Sequence, residues 1–99
     1  MKVVLLYFDD CPNWLETDEH LRTLTAELPE VEIERRLVDT VEDATAMRFH
    51  GSPSITVDGI DLFADADTPV GLSCWMYQTP TGPAGTPTLE QLRIAILGG

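Results

Sequence analysis

The stretch KVVLLYFDDCPNW, residues 2–14, decides how the rest of the chain is read. Residues 2–8 are almost wholly apolar and rich in branched side chains, and the run stops abruptly at Asp9 and Asp10. A continuous apolar run of this length reads as a strand buried on both faces, which places it in the middle of a sheet. The proline directly after Cys11 marks a different element. Pro12 has no N–H to leave unpaired and its φ is preset, which suits the first position of a helix. Trp14, Leu21, Leu24 and Leu28 then recur at helical spacing with charged residues between them, until Pro29 closes the segment. A central strand, a turn and an amphipathic helix open an α/β fold, with Cys11 at the carboxyl end of the strand and the start of the helix.

Further along, Val31, Ile33, Arg35 and Leu37 alternate with Glu32, Glu34 and Arg36, so residues 31–38 read as a second strand. The helical crossover makes it parallel to the first. Thr40 followed by Asp43 resembles a capping box, and Val41, Ala44 and Met47 line one side of a short helix that ends near His50 and Gly51. Residues 54–57 form a third strand, Asp58-Gly59 is a hairpin signal, and residues 60–64 return antiparallel. Over 65–87 the composition changes to Gly, Pro, Asp and Thr around an apolar island, 72–77, that contains Cys74; such a stretch reads as a loop. Thr86-Pro87-Thr88 then opens a final helix whose Leu89, Leu92 and Ile96 share a face. The expected fold is α/β in the order βαβαββα, a four-stranded mixed sheet with helices on both faces. It is expected as one domain over residues 1–99, with a Gly/Pro-rich loop insertion at 65–87.

Ninety-nine residues suffice to bury about two-thirds of the surface the unfolded chain exposes, so a single core is expected without help from a metal. Acidic residues number 17 against 6 Lys and Arg, a net charge of -11, which repels phosphate backbones and anionic lipid. Nucleic acid and membrane are therefore not expected partners. The most apolar run is too short to cross a bilayer and lacks the small-residue cleavage site of a secretory signal, so the chain reads as cytoplasmic. Cys11 and Cys74, 63 positions apart, match neither a zinc spacing nor the dense framework of a small secreted protein. No metal or cofactor is expected. Two such cysteines are catalytic, redox-sensing or simply buried.

The order of elements, with Cys-Pro at the start of the first helix and Ser-Pro at the start of the third strand, resembles the thioredoxin family in its glutaredoxin-sized minimal form. The resemblance covers nearly the whole chain apart from 65–87. It implies that Cys11 is the nucleophilic cysteine, in a CPNW motif where the family pattern is CxxC. It also implies that Pro53 is a cis-proline lying against that cysteine, with the backbone of Ser52 free to pair with an extended substrate and Pro12 and Trp14 bordering it. Trp14 stands where the family has its second cysteine, so a two-cysteine cycle within the motif is excluded. Monothiol chemistry, resolution by Cys74, and a domain that only binds remain. A weaker resemblance, carried by residues 51–74, is to small bacterial proteins labelled alkylmercury-lyase-like, whose true enzymes use two cysteines and an aspartate. Asp10, Cys11 and Cys74 match that trio in composition, not in spacing.

The start of a helix favours a thiolate through its free N–H groups and dipole, while Asp9 and Asp10 oppose a further negative charge. At the carboxyl end of a parallel pair Cys11 is expected to be exposed enough to react, and Cys11→Ser to leave stability within about a kcal/mol. Trp14 either walls the thiol or begins the buried face of the helix. Cys74 either packs with its apolar island against the sheet edge or is carried by its loop to Cys11, which needs Cα atoms within about 4.4–6.8 Å. His50 reads as a solvated loop histidine and His20 as surface. Glu16, Asp18 and Glu19 read as a solvated face on which Asp18 and Arg22 form an i,i+4 pair. Three functions follow. The first is a thiol–disulfide oxidoreductase with Cys11 and Cys74 as catalytic candidates, acting on a protein or low-molecular-weight thiol or disulfide. The second is a non-catalytic binding or adaptor domain, and the third a soft-metal or organomercurial thiol site built from the two cysteines.

Overall fold

The apolar run that opens the chain forms strand β1 (Lys2–Tyr7) in the interior of a four-stranded sheet. Its neighbours are β2 (Glu32–Leu37) on one side and β3 (Ser54–Val57) on the other, with β4 (Ile60–Asp61) beyond β3. The structure, a computed structural model, describes residues 1–9, 11–64, 70–72 and 74–98. Asp10, Ser73 and residues 65–69, the opening of the expected loop, lie outside the described residues. β1 and β2 pair parallel in the register Lys2↔Glu32 to Tyr7↔Leu37. β1 and β3 pair antiparallel from Val3↔Val57 to Leu6↔Ser54, and β3 and β4 antiparallel at Thr56↔Asp61 and Val57↔Ile60. The result is a mixed α/β fold with a four-stranded mixed sheet.

Alternation along β1 divides the core. Val3 and Leu5, both fully buried, join Leu21 and Leu24 of α1 (Trp14–Glu27) and Leu92 and Ile96 of α3 (Leu89–Gly98). Leu6 joins Val38, Phe49 and Ala44 of α2 (Val41–Met47) on the opposite face. Burial of about 1.5–3 kcal/mol per large apolar side chain on both faces makes β1 the element on which the rest depends.

The element boundaries have local causes. α2 starts where the Thr40 hydroxyl accepts from Asp43 N–H at 3.0 Å, and it ends at Arg48, whose φ of 54° is left-handed. α3 has a reciprocal cap: Gln91 N–H donates to Thr88 Oγ1 at 3.1 Å and Thr88 N–H to Gln91 Oε1 at 2.9 Å. Asp58 and Gly59, with φ of 54° and 80°, make the tight turn between β3 and β4, as the Asp-Gly pair predicts. β4 is shorter than the 60–64 expected, because Asp61 Oδ1 accepts from Phe63 N–H at 2.8 Å and from Ala64 N–H at 3.0 Å and turns the chain away. Within the stretch expected as an unstructured loop, β5 (Tyr77–Thr79) and β6 (Gly82–Ala84) form a separate two-stranded hairpin.

Asp18 departs from the solvated face expected of it. It is buried, and Arg35 of β2 donates to both its oxygens, Nε to Oδ1 at 2.6 Å and the guanidinium to Oδ2 at 3.0 Å. The expected Arg22 partner is also present, at 3.0 Å. Arg35 is held above its ordinary pKa, chiefly by its hydrogen bond to Asp18. The pair fastens α1 to the sheet.

Candidate functional site

Residues 8–13 join β1 to α1, and the turn is closed by Cys11 N–H donating to Phe8 O at 3.0 Å. α1 begins at Trp14, two residues later than Pro12 would start it, with Asn13 as a cap whose side chain makes no capping bond. Pro12 is exposed in the turn, and its carbonyl accepts from Leu15 N–H at 3.1 Å. Cys11 is fully buried, contrary to the exposure expected at the carboxyl end of the strand. The cause is Cys74. The two cysteines form a disulfide with Cα atoms 5.8 Å apart, so the chain after residue 70 lies over the turn.

Backbone pairing holds that overlying strap in place. Gly71 N–H donates to Phe49 O and Trp75 N–H to Ser52 O, each at 3.0 Å, and Ser52 and Cys74 form an isolated parallel bridge. Gly71, Cys74 and Trp75 are thereby held beside residues 49–52. Ser52 and Pro53 are buried, and the bond between them is cis, the isomer the resemblance implies. The Ser52 carbonyl oxygen is 3.5 Å from Cys11 Sγ. With the sulfur in a disulfide there is no S–H to donate, so this is a packing contact. Once reduced, the thiol has an acceptor in place. The backbone of Ser52, expected to be free for a substrate, is occupied by the strap.

Behind Pro53 lies an aromatic wall. The Tyr77 hydroxyl donates to Pro53 O, Trp75 stacks on Tyr77 with centroids 4.9 Å apart, and Phe63 meets Tyr77 edge-on at 5.3 Å. His50 meets Trp75 edge-on at 6.1 Å and is half-buried, not the solvated loop histidine that sequence suggests. Burial pushes the Tyr77 phenol far above its ordinary pKa, with the nearby Asp61 charge adding to the shift, so the hydroxyl remains a donor. Asp61 is also raised, by burial first, against the opposing effect of the Phe63 and Ala64 N–H donors and then of His50. Its second oxygen, Oδ2, is buried without a hydrogen-bond partner. Ser52 Oγ is likewise buried and unpartnered.

Of the residues singled out in the sequence, Cys11, Cys74, Ser52 and Pro53 come together. Pro12 adjoins them on the outside. Trp14 stacks on Tyr7 with centroids 4.3 Å apart and packs against the α1–α3 core, which places it with the buried face of the helix. The aromatic wall was missed; its signal is the alternation of Trp75 and Tyr77 across Met76, which has the period of a strand with one buried face. The turn is also braced from the far end of the chain: the hydroxyls of Thr17 and Thr86 are 2.5 Å apart in the interior, and Gly85 lies against the Asn13 side chain.

Among the described residues no helix is long and apolar enough to cross a membrane. No family model, no curated protein and no solved structure matches the chain.

Proposed function

We propose that the chain is a thioredoxin-like thiol–disulfide exchange protein whose redox pair is Cys11 and Cys74, acting in the cytoplasm on a protein or low-molecular-weight thiol or disulfide. The observation that carries this reading is the 5.8 Å approach of the two cysteines at the carboxyl end of β1. The strand order β2-β1-β3-β4 and the Ser52 carbonyl 3.5 Å from Cys11 Sγ support the architecture. Trp14 removes a partner within the motif, and Cys74 supplies one from 63 residues away. Oxidation of the two thiols releases two electrons and two protons to a disulfide substrate; reduction takes them back from two thiols.

Complete burial of Cys11 favours a second reading, a binding domain in which the disulfide is a staple. Equilibration of the protein in glutathione and dithiothreitol buffers separates the two. An exchange protein has a potential between about -280 and -120 mV, where redox proteins operate, and loses thiol transfer in both Cys11→Ser and Cys74→Ser. A potential below about -300 mV with no thiol transfer assigns the staple.

A further inference from the structure

The two sulfurs of the disulfide differ in what can reach them. Cys11 is 0% exposed, whereas Cys74 is exposed, with Val70 and Met76 also exposed nearby in the strap. A thiolate attacks a disulfide in line, bonding to one sulfur and expelling the other, so access decides which sulfur is attacked. Attack on Cys11 Sγ has to come from the side away from Cys74. With Cys11 0% exposed, that side is closed to solvent, and the Ser52 carbonyl oxygen packs 3.5 Å from the sulfur. Cys74 is the exposed member of the pair and Cys11 the buried one.

We propose that the disulfide opens in one direction, with an external thiolate attacking Cys74 Sγ and Cys11 leaving. This rests on reading the pair as a redox couple, and it reverses the role that the resemblance implies for Cys11, which would be the point of entry. In the step, a bond forms between the external sulfur and Cys74 Sγ, and the Cys11–Cys74 bond breaks with its electron pair passing to Cys11 Sγ. Cys11 then takes a proton from water, and the Ser52 carbonyl is in place to accept a hydrogen bond from the new S–H. A second external thiolate attacks the first external sulfur, releasing a low-molecular-weight disulfide and the Cys74 thiolate. Two electrons pass from two external thiols to the protein pair. Opening also unties the strap from the turn, leaving it held beside residues 49–52 by the Gly71 and Trp75 N–H groups.

The test uses the full-length oxidised protein with 2-mercaptoethanol. Samples taken at the earliest times are quenched in mildly acidic denaturant containing N-ethylmaleimide and digested with trypsin. Cys11 and Cys74 fall in separate peptides, because Arg22, Arg35, Arg36 and Arg48 lie between them. The expected result is mercaptoethanol on the Cys74 peptide and maleimide on the Cys11 peptide, exceeding the reverse pattern by about tenfold or more. Equal amounts, or an excess of mercaptoethanol on Cys11, overturn the proposal. The regiochemistry is read from opened molecules whether or not the protein turns over. Adducts on Cys74 in a protein without thiol-transfer activity uphold the direction and remove the functional reading, while adducts on Cys11 in an active protein do the opposite.

Discussion

Cys74→Ser isolates the energetic contribution of the cross-link. Cys74 is exposed, so the hydroxyl that replaces its sulfur meets water, and Cys11 remains as a buried thiol with the Ser52 carbonyl 3.5 Å away as acceptor. What is lost is the constraint on the unfolded chain. The disulfide spans a separation of 63 residues, and loop-closure entropy for a loop of that length corresponds to about 4 kcal/mol at 25 °C. That is a large part of the roughly 5–15 kcal/mol that stabilises a domain. Urea unfolding followed through Trp14 and Trp75 fluorescence measures it. With a slope of about 2 kcal/mol per molar urea, the midpoint of Cys74→Ser falls by about 2 M relative to the oxidised parent, and the reduced parent falls with it. A midpoint within about 0.3 M of the oxidised parent would refute the reasoning, since the cross-link would then be closing nothing that the unfolded chain leaves open. The expectation from sequence, that losing Cys11 leaves stability within about a kcal/mol, applies to an unpaired thiol; with the disulfide in place, Cys11→Ser is expected to lose the cross-link's contribution as well.

Two further outcomes follow from the surroundings of the site. Because burial raises the Asp61 carboxyl in the folded state, the folded protein binds more protons than the unfolded one between the unfolded value of about 4 and the raised folded value, so this group's contribution to stability is present at low pH and is lost as pH rises through its folded pKa. Asp61→Asn flattens that fall in a series of urea midpoints across pH, and an unchanged slope counts against the assignment. A Cβ placed on Gly85 would lie 2.2 Å from Asn13 Nδ2 and 2.4 Å from Asn13 Cγ, so Gly85→Ala should cost about 1–2 kcal/mol. A double-mutant cycle with Asn13→Gly should recover at least about 0.5 kcal/mol of that loss, and strict additivity would show that the two residues do not press on each other.

The elements built on local signals were legible. The opening run has the length and branching of a buried strand, Thr40 and Asp43 mark a helix start, and Asp58-Gly59 marks a turn; each acts over a few residues and leaves its trace in a few residues. β4 was overextended because the Asp61 side chain turns the backbone just past it, and an aspartate carries no sign of whether its carboxylate will face water or its own N–H groups. The burial of Asp18 was hidden for a related reason: its partner Arg35 sits on another element, and helical spacing alone shows only Arg22. Cys11 and Cys74 were both recognised, and their approach stood as one of two alternatives. Their approach depends on how 63 intervening residues close, which no local pattern encodes. The β5–β6 hairpin and the strap lay under a Gly/Pro-rich composition that reads as loop, although Trp75 and Tyr77 already alternate as strand residues do.

β2 is the outer strand of the sheet, and its free backbone rim is a surface on which another chain could extend the sheet. Along it stand Glu32, Glu34, Arg35 and Arg36, with Glu34 pairing to Lys2 at 2.8 Å and to Arg36 at 2.5 Å, while Arg35 is drawn inward to Asp18. A foreign strand arriving at this rim would have to strip water from closely spaced charges, of which Glu34, Arg35 and Arg36 are already paired within the molecule. The opposite outer strand, β4, offers two residues before Asp61 bends the chain away, too few to template a ladder. The charged rim of β2 and the brevity of β4 together leave this strongly acidic chain little backbone to offer for edge-to-edge pairing.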